Sequence, residues 1–150
     1  MHHWAHRPYR IQFMKLYEKL KKMQILLIDD DEWIRDALRI FFEEEGCRLV
    51  ALETAEEGIE ALQSQDYDIV IADYRLPGMD GLEFLSRIKL SHPNVIQILI
   101  TAYANDEIVA KANSLGIHEL ISKPFSSRNI EDSLSRLVQN PTQKPHFEVL

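Results

Sequence analysis

Five short apolar runs alternate with five amphipathic stretches between Gln24 and Val138. The first run, Ile25-Leu26-Leu27-Ile28, is unbroken and ends in Asp29-Asp30-Asp31-Glu32. Helical spacing follows, with Ile34, Leu38, Phe41 and Phe42 on one face and Gly46 as the stop. Leu49 to Leu52 reads as a second strand, and Thr54 with Glu57 as a capping box for a helix through Ile59 and Leu62. Ile69 to Ala72 is the third strand, and Leu82, Leu85 and Ile88 mark the helix behind it. Val95 to Ile100 is the fourth strand, and Asp106 caps a helix through Ile108, Val109 and Ala112. Ile117 to Ile121 is a fifth, weaker strand, and Ser126 or Ser127 caps a last helix through Ile130, Leu134, Leu137 and Val138. Apolar strands separated by amphipathic helices predict an α/β fold, a parallel sheet covered by helices on both faces.

The flanks differ from this body. Residues 1–22 form a basic extension, residues 23–139 the folded domain, and residues 140–150 a Pro-containing tail or linker. Phe13, Leu16, Tyr17 and Leu20 have helical spacing with lysines between them. Such a helix is expected to pack on its own domain, in preference to a partner or a membrane surface. His2, His3 and His6 read as a leader or a cloning remnant, not as metal ligands.

Composition narrows the function classes. The 150 residues are 45% hydrophobic and 27% charged, which fits one soluble domain with a proper core. Net charge is -7, with +5 on residues 1–22 and -12 on the remainder. An acidic body argues against nucleic-acid binding by the domain. The one cysteine, Cys47, rules out an intrachain disulfide or a thiol cluster and suits a reducing cytoplasm. No apolar run approaches membrane-spanning length, and the N-terminus lacks the features of a signal peptide.

The chemistry lies at the strand ends. Asp29 and Asp30 follow the first strand, Asp73 the third, Thr101 the fourth and Lys123 the fifth. Parallel strands end at one sheet edge, where open α/β sheets bind ligands. These residues therefore converge although they are far apart in the chain. Asp73 alone would also suit a turn cap, but the set together points to phosphoryl transfer onto an aspartate. Clustered carboxylates repel unless a cation sits among them, and Mg2+ takes hard oxygen ligands of this kind. A carboxylate can attack as a nucleophile and form an acyl phosphate, while a lysine ammonium and a threonine hydroxyl hold the phosphoryl oxygens. Gly-rich phosphate loops and a Ser–His pair are absent from the sequence.

The motifs Ile25-Leu26-Leu27-Ile28-Asp29-Asp30-Asp31, Asp73 with Leu76-Pro77-Gly78-Met79-Asp80-Gly81, Ile100-Thr101-Ala102 and Lys123-Pro124-Phe125 occur in this order. In order and spacing the chain resembles the receiver domains of two-component response regulators, from about Gln24 to Val138. The resemblance implies a flavodoxin-like doubly wound sheet of five parallel strands in the order 2-1-3-4-5, with five helices. It also implies a signalling switch and not a turnover enzyme. Asp73 would be the phosphoacceptor. Asp30, Asp73 and the backbone carbonyl of Arg75 would ligate Mg2+ directly, with Asp29 acting mainly through water and Mn2+ able to substitute. Thr101 and Lys123 would bind the phosphoryl group, and Pro124 would follow a cis peptide.

The implied donor is a phosphohistidine on a sensor histidine kinase or a histidine phosphotransfer protein. The implied output face comprises the fourth helix, fifth strand and fifth helix, used for a partner protein or a homodimer. Two positions depart from the family pattern. Leu120 stands where an aromatic switch residue is usual, so the switch would run through Thr101 and a smaller side chain. Arg75 and Tyr103 occupy the positions that tune loss of the phosphoryl group, and their bulk implies a long-lived signal. Trp33 is expected to pack beside the metal site.

Two other readings compete. Asp29 and Asp31 formally meet the Asp-x-Asp of haloacid-dehalogenase-like phosphatases, but no late acidic pair follows and Asp73 would have no role. A receiver fold acting as a phosphorylation-independent binding module is the other, left open by Leu120.

Overall fold

The computed structural model describes residues 11–139 and 146–147. Six parallel strands form one sheet: β1 (Gln24–Ile28), β2 (Arg48–Leu52), β3 (Ile69–Asp73), β4 (Ile96–Thr101), β5 (Glu119–Ser122) and β6 (His146–Phe147). Their order is β2-β1-β3-β4-β5-β6. The first five strands therefore run in the expected order 2-1-3-4-5. The helices are α1 (Met14–Leu20), α2 (Glu32–Glu44), α3 (Ala55–Ser64), α4 (Gly81–Ser91), α5 (Asp106–Ser114) and α6 (Ser127–Gln139). The count of five helices and five strands is corrected by one of each, α1 and β6, both outside the five alternating units. β6 pairs Glu119 with His146 and Leu120 with Phe147. His2, His3, His6 and most of the 140–150 tail lie outside the described residues.

The unbroken apolar runs hide a period of two. Ile25, Leu27, Ile69, Ile71, Ile98 and Ile100 join one core cluster with Leu38 and Phe42 of α2 and Ile130 and Leu134 of α6. Leu26, Ile28, Val70, Ala72, Leu99 and Leu120 join the other, with Phe84, Leu85 and Ile88 of α4 and Ile108 and Ala112 of α5. The strands look continuous in the sequence because both faces are buried.

Most helices start as the side chains dictate. Thr54 and Glu57 form the reciprocal capping box, and Ser126 and Asn129 exchange hydrogen bonds ahead of α6. The α5 cap is corrected by one residue. Asn105, in extended backbone, accepts from the Ile108 N–H at 2.9 Å, which leaves Asp106 in the first turn, where its charge suits the helix dipole.

The short basic helix does pack on the body. Phe13, Leu16, Tyr17 and Leu20 are buried in the same cluster as α2 and α6. The Tyr17 hydroxyl donates to Glu131 of α6, and the Arg128 guanidinium lies over the Phe13 ring. If this packing is integral to the fold, Leu20→Ala removes a fully buried side chain and lowers stability by about 2–5 kcal/mol. A denaturant midpoint unchanged from wild type would show that α1 contributes nothing to the body.

Candidate functional site

β1 hydrogen-bonds β2 on one side and β3 on the other. The carboxyl ends of β1 and β3 therefore flank the point where the chain switches direction across the sheet. Asp29 follows β1 and Asp73 ends β3, so the fold delivers both carboxylates to that crevice. Carboxylate oxygens of Asp29, Asp30 and Asp73 all lie within 4.8 Å of one another. Asp29 and Asp73 are buried, and Asp30 is exposed.

Lys123 arrives from the end of β5. Its backbone N–H donates to the Thr101 carbonyl at 2.8 Å, and the Lys123–Pro124 peptide is cis, as expected. The Lys123 ammonium donates to Asp73 Oδ2 at 2.9 Å and sits 3.1 Å from Asp29 Oδ2. The Asp29 contact is ionic, out of line for a hydrogen bond. Asp29 Oδ1 accepts from the Asp31 N–H at 2.9 Å. Thr101, the last residue of β4, is fully buried, and its Oγ1 accepts from the Tyr103 N–H at 2.9 Å.

One ammonium cannot balance three carboxylates. Burial pushes the Asp73 carboxyl up to about 6; the Lys123 hydrogen bond opposes this and the Asp29 charge adds to it. Asp29 is also raised, chiefly by burial. Burial pulls the Lys123 ammonium down, but its bond to Asp73 and the charges of Asp29 and Asp73 outweigh this, and its pKa is raised.

The loop behind Asp73 is held tightly. The Gly81 N–H donates to the Tyr74 carbonyl at 2.8 Å, and a Cβ on Gly81 would lie 2.0 Å from the Asp73 carbonyl oxygen. No other residue fits there without moving the strand end. In the loops that follow β3 and β4, the Arg75 guanidinium stacks 4.3 Å from the centre of the Tyr103 ring. The two positions picked out for their bulk are thus in contact. Leu120 is fully buried, with α5 residues in the same cluster.

One expectation is revised, and two of the competing readings lose support. Asp31 is the N-cap of α2, accepting from the Trp33 N–H at 2.9 Å, so it does not join Asp29 as an Asp-x-Asp pair. Trp33 is 86% exposed and does not pack on the acidic cluster. As the second residue of α2 it points outward, where it lines an apolar groove of about 720 Å3 with Ile34, Ala37, Phe41, Pro124 and Phe125. Asp73 caps no helix; Asp80 performs that role for α4.

Two supporting residues escaped the sequence reading. Arg35 on α2 donates to the Asp29 backbone carbonyl at 2.9 Å. Glu56 on α3 accepts from the Met79 N–H at 3.1 Å and pins the loop behind Asp73. Nothing in their spacing separates them from ordinary charged helix residues.

A doubly wound sheet that brings three acids, a threonine and a lysine to the carboxyl ends of its strands defines the flavodoxin-like α/β class with an acidic crevice. The chain matches the family model described as the response regulator receiver domain over residues 25–135 and belongs to that family. It is 30% identical over 113 residues to sporulation initiation phosphotransferase F of Bacillus subtilis, covering 75% of this chain and 91% of that protein. It is 32% identical over 120 residues to the hydrogenase transcriptional regulatory protein HoxA of Cupriavidus necator. That match covers 79% of this chain, which spans only 25% of HoxA. Among solved structures, a CheY-like response regulator receiver domain protein from Methanospirillum hungatei matches with a TM-score of 0.76 and 27% identity. It covers 80% of this chain and 96% of that one. Among the described residues, no helix is long and apolar enough to cross a membrane.

The electrostatics make a signed prediction for the metal-free protein. Asp73 takes up its proton more readily folded, near pH 6, than unfolded, near its ordinary 3.8. Its ionisation therefore destabilises the fold progressively as pH rises from about 4 to about 6. Asp73→Asn is expected to be more stable than wild type by about 1–3 kcal/mol at neutral pH, with the difference vanishing near pH 4. Denaturant unfolding in a chelator across this range checks it; a constant difference would contradict the assignment.

Proposed function

We propose that this chain is a phosphorylation-activated switch in which Asp73 accepts a phosphoryl group from a phosphohistidine. The donor is a sensor histidine kinase or a histidine phosphotransfer protein, and the setting is the cytoplasm. The observation that carries the reading is the convergence of Asp29, Asp30 and Asp73 around Lys123, with buried Thr101 at the adjacent strand end.

The donor set fits Mg2+: hard carboxylate oxygens, clustered, with two of the acids buried and raised in pKa chiefly by that burial. Asp30, Asp73 and the Arg75 backbone carbonyl would hold the ion, with Asp29 acting through water. Bound there, the ion supplies charge stabilisation to the phosphoryl oxygens and keeps Asp73 ionised. An Asp73 carboxylate oxygen attacks phosphorus as the P–N bond of the phosphohistidine breaks. The bonding pair stays on the imidazole, and Asp73 becomes an acyl phosphate. Lys123, already poised on Asp73, then pairs with a phosphoryl oxygen, and Thr101 Oγ1 bonds another. The groove containing Trp33 and Phe125 lies alongside Lys123 and receives the donor protein.

Phosphorylation shifts an existing equilibrium by its differential stabilisation of one state. Thr101 and Leu120 carry the shift to the face formed by α5, β5 and α6, where a partner or a second copy reads it. Family members are signalling modules, and this reading assigns no turnover of an external substrate. The acidic body gives no support to nucleic-acid binding.

Incubation with a small phosphodonor and Mg2+ is expected to add one phosphoryl group by intact mass, and none to Asp73→Ala. No adduct on folded, Mg2+-bound protein would instead favour the binding-module reading. Sustained phosphomonoester turnover lost in Asp29→Asn but kept in Asp73→Asn would favour the phosphatase. On this reading the stacked Arg75 and Tyr103 side chains limit the approach of water, so Arg75→Ala or Tyr103→Ala should shorten the phosphoryl lifetime severalfold. A wild-type half-life of only seconds would end that part of the proposal.

A further inference from the structure

The three carboxylates are not held alike. Asp29 is fixed on all sides: its N–H donates to the Leu52 carbonyl at 3.0 Å, Oδ1 accepts from Asp31, and Oδ2 faces Lys123. Asp73 is held by Lys123 at 2.9 Å. Asp30 is exposed, and among the described residues nothing donates a hydrogen bond to its carboxylate. Its place within 4.8 Å of the other two therefore rests on its backbone.

That backbone lies beyond the last ladder pairing of β1, Ile28 with Leu52. Past this point the last tie to a strand is the Asp29 N–H on the Leu52 carbonyl, and among the described residues no strand donates to or accepts from the Asp29–Asp30 peptide itself. Its carbonyl accepts from Arg35 Nη1 at 2.9 Å, across six residues of chain. Arg35 is half-buried on α2, and its own N–H donates to the Asp31 carbonyl at 3.1 Å. The clamp is therefore built on a helix whose first turn is already fixed. A peptide unit is planar, so holding its carbonyl also holds the direction of its N–H and of the next Cα. A hydrogen bond from a permanently charged guanidinium is stronger than one from a neutral donor.

We propose that Arg35 is a positioning residue for the cation site: by clamping the Asp29 carbonyl it fixes the Asp29–Asp30 peptide and aims the otherwise unsupported Asp30 carboxylate at the metal. The inference rests on the reading of this cluster as a Mg2+ site. It gives α2 a task in the chemistry, although Arg35 itself touches neither metal nor phosphoryl group.

The test is Mg2+ affinity by calorimetry on the full chain, set beside the thermal midpoint of the metal-free protein. Arg35→Gln is expected to weaken Mg2+ binding about tenfold, the scale on which supporting contacts act in metal sites. The metal-free midpoint should move little. Arg35→Lys keeps charge and a donor but loses the planar fork, and should fall between the two. In an Asp30→Asn background, Arg35→Gln should add nothing, because its effect runs through Asp30.

Affinity within twofold of wild type in Arg35→Gln would overturn the proposal, and so would additive losses in the double variant. If Arg35→Gln fails to fold, wild-type affinity in Arg35→Lys overturns it instead. Absence of Mg2+ binding by wild type would overturn the underlying metal reading, and this inference with it. Normal wild-type binding with unaffected variants would remove only the role of Arg35.

Discussion

The structure depends on one ion cluster with unequal charge. Lys123 stands between Asp29 and Asp73, with Asp30 close by. The Lys123–Asp73 contact closes across 50 residues of sequence. Two of the acids are buried, and removing a carboxylate from water without full compensation is expensive. A fold that tolerates this leaves the cluster short of positive charge. The raised Asp73 pKa is that frustration in measurable form. An acid whose pKa is raised chiefly by burial is drawn toward its ionised form by a cation that enters beside it.

Such a cluster requires rigid surroundings, and the sheet supplies them. The strands are dry on both faces, so each strand end is fixed by packing on two sides. Beyond the strand ends, the loops need separate devices. Gly81 lets the chain pass against the Asp73 carbonyl, where any Cβ would collide. Glu56 holds the loop at Met79, and Arg35 holds the turn at Asp29. Each loop of the acidic crevice is thus tied to a helix by one charged side chain. These ties act on backbone atoms and use none of the carboxylate oxygens of Asp29, Asp30 or Asp73.

Much of this was readable from residue order alone, for a geometric reason. Parallel strands share one carboxyl edge, so a polar residue ending each apolar run must meet the others in space. Asp29, Asp73, Thr101 and Lys123 were legible on that ground, although Asp73 and Thr101 close their strands instead of following them. Features that depend on side-chain direction were not legible. Trp33 follows the acids directly, yet helix geometry turns it outward. Asp31 sits beside Asp29 and Asp30, yet its oxygen caps α2. Arg35 and the Arg75–Tyr103 stack join residues with no shared period. α1 showed its apolar stripe, but not that Tyr17 would meet Glu131 more than a hundred residues away.

Two surfaces differ in character. Among the described residues, the large exposed apolar side chains include Trp33 and Ile40 on α2, Leu90 on α4 and Tyr103 after β4. None lies on α5, β5 or α6, where the exposed face instead carries pairs such as Glu107 with Lys111 and Arg128 with Asp132. The groove beside Lys123 is lined largely by apolar side chains and reaches Ser127 at the start of α6, whereas the face formed by α5, β5 and α6 is rimmed by charged pairs. Leu120 lies beneath that face, packed with Ile108 and Ala112, and offers no hydroxyl to expose.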